Sequence, residues 1–122
     1  MKMGVDIISV DRIARALSKS GDDFFRRVLT PGEQRYLHPI GENAERFAGY
    51  WAAKEAAVKA LGTGFRHGIT FHDIEIDHDA FGCPEYQFSG AFLKIMSEKK
   101  IHSVTLSISH CSTHAVAVAA FS

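Results

Sequence analysis

The run of small residues between Asn43 and Leu61 constrains the fold of this chain more than any other feature. Alanines 48, 52, 53, 56, 57 and 60 give it high helix propensity. Phe47, Trp51, Val58 and Leu61 recur at spacings of four, seven and three, so they share one helical face. Gly62 follows directly, and glycine takes a left-handed cap at least cost. A helix so rich in alanine lets its neighbours pack close to its backbone. The expected centre of the fold is therefore one buried helix over about 43–61.

The flanking segments supply strands and shorter helices. Residues 3–10 (MGVDIISV) are apolar and β-branched and read as a buried strand. Ser9 can cap a helix over 10–20, with Val10, Ile13 and Leu17 on one face and Arg12, Arg15 and Lys19 on another. Gly21-Asp22-Asp23 breaks it. Thr30-Pro31-Gly32-Glu33 is a helix start, with a Thr cap, Pro at the first position and Glu three residues after the cap. Residues 70–77 (TFHDIEID) alternate as a half-buried strand, and 81–84 turn the chain into a short strand from Tyr86 to Phe88. A helix over about 90–99 comes next, then two strands, 103–109 and 114–121, paired as an antiparallel hairpin. The fold class expected is α+β, a single domain over 1–122 with a long helix packed on a mostly antiparallel sheet.

Composition narrows the class of function. A chain of 122 residues is expected to be one domain, burying about two-thirds of its unfolded surface. Its 14 basic side chains balance 14 acidic ones, so no general attraction to nucleic acid or anionic membrane is expected. No apolar run reaches the ~20 residues of a membrane span. The start, Met1-Lys2-Met3-Gly4, has no export-signal pattern. Cys83 and Cys111 are too few for a disulfide framework, so a reduced, cytoplasmic protein is expected.

Five charged or titratable side chains stand at three places that call for an explanation. Asp6 lies inside an apolar strand, where an ionised carboxylate needs a partner or a cation. Glu55 and Lys59 sit at i and i+4 on the long helix, and Lys54 precedes them, all in an alanine-rich segment. His110 follows the strand Leu106–Ser109 at a turn. Taken singly, each also reads as ordinary: a strand-end Asp paired with Arg, a surface ion pair, a loop histidine. Zinc is excluded, because His110 and His114 span a turn with no third ligand at a helpful distance. Gly62-Thr63-Gly64 is too short for a Walker loop or a dinucleotide fingerprint. The row Asp73, Glu75, Asp77 reads as a solvated strand face. Taken together, Asp6 and Glu55 offer two hard oxygen ligands suited to Mg²⁺, which takes its other ligands from water and phosphate. Lys54, Lys59 and His110 offer donors for phosphate oxygens, and the glycine loop can let backbone approach a nucleotide.

These residues resemble a known family. Gly4-Val5-Asp6-Ile7 resembles the Gly-x-Asp-Ile of the holo-[acyl-carrier-protein] synthases, the short bacterial 4′-phosphopantetheinyl transferases. Trp51 to Lys59 resembles their aromatic-x-x-Lys-Glu-x-x-x-Lys motif, and Leu61-Gly62-Thr63-Gly64 follows as in the family. Phe71-x-Asp73-Ile74-Glu75-Ile76, Gly82-x-Pro84 and Ser107-Ile108-Ser109-His110 keep the family's order, so the likeness spans about 4–118. It implies a 4′-phosphopantetheinyl transferase-like fold and transfer of the phosphopantetheine arm of coenzyme A to a serine of apo acyl carrier protein. Adenosine 3′,5′-bisphosphate would be released, with a place in fatty acid biosynthesis.

By matching positions, the resemblance makes Asp6 and Glu55 the Mg²⁺ ligands and Lys59 the lysine at the pyrophosphate. His110 becomes the histidine of the coenzyme A site. It also implies a homotrimer with active sites at subunit interfaces. The first helix would dock the acidic helix of the carrier through Arg12, Arg15 and Lys19, with Arg26 and Arg27 beyond the turn. Two departures stand out: Tyr50 where the family often has Arg, and Cys83 where it has Lys. The phosphate contact that Tyr50 cannot make is expected to be either lost or taken over by Arg46 or Arg66. Glu55, a water on the metal and His110 are all candidate acceptors of the serine proton. The competing reading is a non-catalytic coenzyme A or nucleotide-binding module on the same fold.

Overall fold

Gly4 determines how closely strand and helix approach each other. A methyl group there would lie 2.0 Å from the Ala56 carbonyl oxygen and 2.6 Å from the Ala60 nitrogen. Strand β1 (Lys2–Ser9) therefore rests its backbone directly on helix α4 (Ala44–Leu61). Only glycine on the strand and alanine on the helix permit this contact. The computed structural model describes residues 1–39 and 43–122.

Between these two elements the chain folds three short helices. Helix α1 (Val10–Ser20) begins at Ser9, whose hydroxyl accepts from the Arg12 N–H, and buries Ile13. Helix α2 (Asp22–Val28) follows a break at Gly21 and buries Phe25 and Val28. Helix α3 (Pro31–Tyr36) has the expected capping box, with Thr30 and Glu33 exchanging side chain to backbone bonds. After α4, Gly62 takes the left-handed cap at φ 87°.

The expected strand over 70–77 is shorter. Phe71–Asp73 is a 3₁₀ turn, because Asp73 bonds back to the Thr70 N–H and hydroxyl. Strand β2 (Ile74–His78) then pairs with β3 (Pro84–Phe88), longer than expected from the sequence. Helix α5 (Gly90–Glu98) leads to the hairpin β4 (Val104–His110) and β5 (His114–Phe121). Strand β1 adds to its far side, giving an antiparallel order β1-β5-β4, with β2-β3 as a separate antiparallel pair. The α+β class, with the long helix on antiparallel strands, is as expected; the strands form two sheets.

Helix α4 is the core. Twelve of its 18 residues are buried, alanines against β1 and β5 and rings against α2. From β5 it receives Ala115, Ala117, Ala119 and Phe121, all buried. The sheet's other face is uncovered: Met3, Val5 and Ile7 are exposed, in register with Ala120, Val118 and Val116.

Candidate active site

The close contact at Gly4 sets the position of Asp6. Strand side chains alternate, so residue 6 faces the helix as residue 4 does. Asp6 Oδ1 lies 3.0 Å from Lys59 Nζ, which also donates to the Val5 carbonyl at 3.1 Å. Glu55, one turn before Lys59, faces the same space. Burial pushes its carboxyl above the usual range, and the nearby Asp6 charge pushes the same way against Lys59. The Asp6 and Glu55 charges thus oppose each other, and Lys59, paired with Asp6, offsets part of that opposition. A divalent cation would relieve that repulsion, and the hard oxygen donors suit Mg²⁺. Among the described residues no group of three or more His, Cys, Asp or Glu side chains lies together.

Asp6 and Glu55 open into one cleft of about 360 Å³ with Arg12, Ile13 and Ala16 of α1, Phe24 of α2 and Trp51 of α4. Phe24 stacks on Phe47 and meets Trp51 at 5.8 Å between ring centres, giving the cleft an apolar wall. Arg12 also lines a groove of about 500 Å³ with Arg15 and Lys19. The basic face of α1 therefore runs into the acidic cleft, a link the sequence did not reveal. Arg26 and Arg27 lie outside both clefts. Arg15 and Arg26 pair with Asp11 and Asp22, at 3.3 and 3.6 Å along their own helices.

His110 lies elsewhere. It ends β4 and lines a smaller cavity of about 160 Å³ with Tyr36, Arg46, Tyr50 and His78. The rings of Tyr36 and His78 stack at 4.8 Å, and the Arg46 guanidinium sits over Tyr36. Among the described residues the Tyr50 hydroxyl is buried without a partner, and burial pushes its pKa well above the ordinary tyrosine range, keeping it protonated. His110 Nδ1 is 2.5 Å from Oε1 of Glu45, in the first turn of α4. From Glu45 to Glu55 the helix rises about 15 Å, so one copy keeps His110 and the acidic pair apart. Of the arginines named for phosphate, Arg46 is in this cavity, and Arg66 is exposed in the loop after α4. Sequence reasoning missed Glu45, Tyr36 and His78. A first-turn glutamate resembles any helix start, and the rings are separated along the chain.

Lys54 is a correction. It was expected at an anionic ligand, yet it is 0% exposed. Its ammonium donates to Glu33 Oε1 and the Val28 carbonyl, each at 2.7 Å, and to the Phe71 carbonyl at 3.1 Å. At 100° per residue it points away from the Glu55 face, toward α2 and α3. The solvated row is corrected too. Glu75 accepts from the Thr30 hydroxyl, and Asp73 accepts from Thr70 and the Phe92 N–H; only Asp77 of the three is exposed. Gly62 and Thr63 border a groove of about 520 Å³ with Lys94 of α5 and Lys99 just after it, and Gly64 has φ 64°.

Comparison with known proteins gives the family. A family model described as the 4′-phosphopantetheinyl transferase superfamily matches residues 2–119. A holo-[acyl-carrier-protein] synthase of Verminephrobacter eiseniae is 40% identical over 119 residues, 98% of this chain and 91% of that protein. One from Solidesulfovibrio magneticus is 46% identical over 116 residues, covering 95% and 93%. The crystal structure of the Helicobacter pylori synthase in complex with coenzyme A superposes with TM-score 0.87 at 32% identity, over 98% of this chain and 99% of that one. The Neisseria meningitidis synthase gives 0.88 at 37%, over 99% and 97%. With the Gly4–Asp6 strand seated on the Glu55–Lys59 helix, and likeness over nearly its whole length, the chain belongs to the holo-[acyl-carrier-protein] synthases of the 4′-phosphopantetheinyl transferase superfamily.

Proposed function

We propose that this enzyme transfers the 4′-phosphopantetheine arm of coenzyme A to a serine of apo acyl carrier protein. The observation that carries the reading is the convergence of Asp6, Glu55 and Lys59 at the mouth of a cleft that the basic face of α1 enters. Asp6 and Glu55 would hold Mg²⁺, which supplies charge neutralisation of the pyrophosphate when bound. Lys59 keeps a proton free beyond its two bonds and can donate it to a phosphoryl oxygen. In phosphoryl transfer, such positioning and electrostatics carry most of the rate. The serine oxygen forms a bond to the pantetheine-bearing phosphorus, the P–O–P bond breaks, and adenosine 3′,5′-bisphosphate leaves with the electron pair. Within one copy, Glu55 is the proton acceptor in reach, since His110 stands about 15 Å away along α4.

The nucleotide end of coenzyme A is assigned to the cavity of His110 and Arg46. Aromatic faces suit a purine there, and the guanidinium suits a phosphate. The family resemblance implies a homotrimer with sites between subunits, and the separation of the two ends within one copy is consistent with that reading. The uncovered apolar face of β1 and β5 supports a second copy as its occupant. The carrier is assigned to Arg12, Arg15 and Lys19, whose positive groove fits an acidic helix. A reducing, cytoplasmic setting is supported by two exposed free cysteines, and no helix among the described residues is long and apolar enough to cross a membrane.

The test is a weighing. Apo carrier protein mixed with the enzyme, Mg²⁺ and coenzyme A should gain the mass of one phosphopantetheine. Coenzyme A binding without any gain would make the protein a binding module, and neither binding nor gain would end the reading.

A further inference from the structure

The contact between Glu45 and His110 takes no part in the acidic cluster, yet it joins elements 65 residues apart. At neutral pH a carboxylate only accepts hydrogen bonds, so the proton between the two groups belongs to His110 Nδ1. An unrestrained imidazole exchanges freely between its two neutral tautomers. Glu45 removes one of them and fixes the plane of the ring. Nε2 is then the ring nitrogen available to whatever enters the cavity of Tyr36, Arg46, Tyr50 and His78.

An ordinary explanation covers part of this. An acidic residue in the first turn of α4 meets the positive end of the helix dipole whatever its partner. Glu45 and His110 are each 41% exposed, and an exposed pair adds little to stability. Neither point requires the carboxylate to reach across to β4. The other charged or aromatic side chains of the cavity are committed to each other: Arg46 lies over Tyr36, and His78 stacks on Tyr36. Among the described residues, His110 is the one of them oriented by a carboxylate.

We propose that Glu45 is a positioning residue of the coenzyme A site, holding His110 with Nδ1 protonated so that Nε2 meets the nucleotide end of the substrate. This rests on the coenzyme A reading above. Glu45 touches no substrate; it acts through the imidazole. The geometry resembles the partner of a metal-bound or catalytic histidine, whose loss costs about 10–100-fold in affinity or activity.

The test combines spectroscopy with kinetics. In ¹⁵N-labelled full-length protein, long-range ¹H–¹⁵N correlation should show His110 carrying its proton on Nδ1, the signal being assigned by its loss in His110→Asn. Glu45→Gln keeps the shape but offers an amide that can donate to Nδ1, so the proton should move toward Nε2. Glu45→Gln and Glu45→Ala should each raise the KM for coenzyme A about tenfold. The KM for the carrier should hold, and the urea midpoint should fall only slightly, by the loss of one charge at the helix N-terminus. In a His110→Asn background, Glu45→Ala should add nothing further, because its effect passes through the ring. An Nε2-protonated ring in the wild type would overturn the proposal. So would an unchanged coenzyme A KM in both Glu45 variants, or additive effects in the double variant. A wild type that transfers nothing from coenzyme A overturns the substrate reading instead. Failure of the present inference is distinct from that, with an active wild type matched by its Glu45 variants.

Discussion

Helix α4 carries two lysine–carboxylate pairs five residues apart, and they are used in opposite ways. Lys54 and Glu33 meet at 2.7 Å with side chains 0% and 1% exposed; Lys59 and Asp6 meet at 3.0 Å with 51% and 15% exposed. All three donors of the Lys54 ammonium have acceptors, and Glu33 also takes the Thr30 and Ile76 N–H groups. That closed pair ties α2, α3, the 3₁₀ turn and β2 to α4. In the open pair Lys59 has two protein acceptors for three protons, and Asp6 faces a second carboxylate in Glu55. Charge in an unexpected place therefore does not by itself mark a site. Unused hydrogen-bonding capacity beside a cleft does.

The largest effect should come from breaking the closed pair. Lys54→Met leaves Glu33 ionised and buried without its partner, a loss of about 3–5 kcal/mol. A urea melt near 15 °C should show the midpoint fall, while protein still folded keeps its kcat and both KM values. Lys59→Met should do the reverse, losing turnover with stability shifted by no more than about 1 kcal/mol. If Lys54→Met were stable but inactive, the division between the pairs would collapse.

Next in size are the carboxylates of the open site. Asp6→Asn and Glu55→Gln should each lower turnover at least ~100-fold, the scale of losing a key electrostatic group. Steady-state assay across a Mg²⁺ titration decides it. Near-normal turnover at saturating Mg²⁺ in either variant would remove that residue from the metal pair.

The comparison also shows why one pair was legible and the other misread. The i,i+4 spacing of Glu55 and Lys59 puts them on one face, and an Asp inside an apolar strand needs a partner, so the open site could be assembled on paper. Gly4 explains its register only once the strand is seen lying on Ala56 and Ala60. Lys54 was misread because its acceptors are mostly backbone carbonyls, of Val28 and Phe71, which no residue type announces. The long helix and the β4–β5 hairpin were plain from periodicity. The split into two sheets was not, because it depends on β1 crossing the molecule to pair with β5. The pairing of Glu45 with His110 escaped for a related reason: each obeys local rules, and only tertiary contact joins them.

A smaller effect tests whether the open site extends onto α1. Arg12 lines both the acidic cleft and the basic groove. Arg12→Glu should raise the carrier KM about tenfold at low ionic strength, with the difference shrinking as salt screens the charges. Coenzyme A affinity by calorimetry should hold. An unchanged carrier KM at low salt would confine Arg12 to the surface.

The smallest effect concerns stability and has the sign opposite to the loss of turnover. Burial first, and the Asp6 charge second, raise the Glu55 carboxyl above its ordinary range in the folded protein. The folded state then binds that proton more tightly than the unfolded chain does. The stability contributed by Glu55 is fully present below the ordinary glutamate pKa and is lost as pH rises through the raised one. Near neutral pH the metal-free protein therefore carries a penalty for the charge that the proposed reaction needs. Glu55→Gln cannot ionise, so its metal-free Tm at pH 7 should exceed that of the wild type. The gap should close as pH falls toward the ordinary glutamate range. Mg²⁺ should raise the Tm of the wild type and leave the variant unmoved, because the ion stabilises only a protein that binds it. A lower Tm for Glu55→Gln at pH 7 would mean that Glu55 and Asp6 do not repel each other, and the open pair would then lack the feature that sets it apart from the closed one.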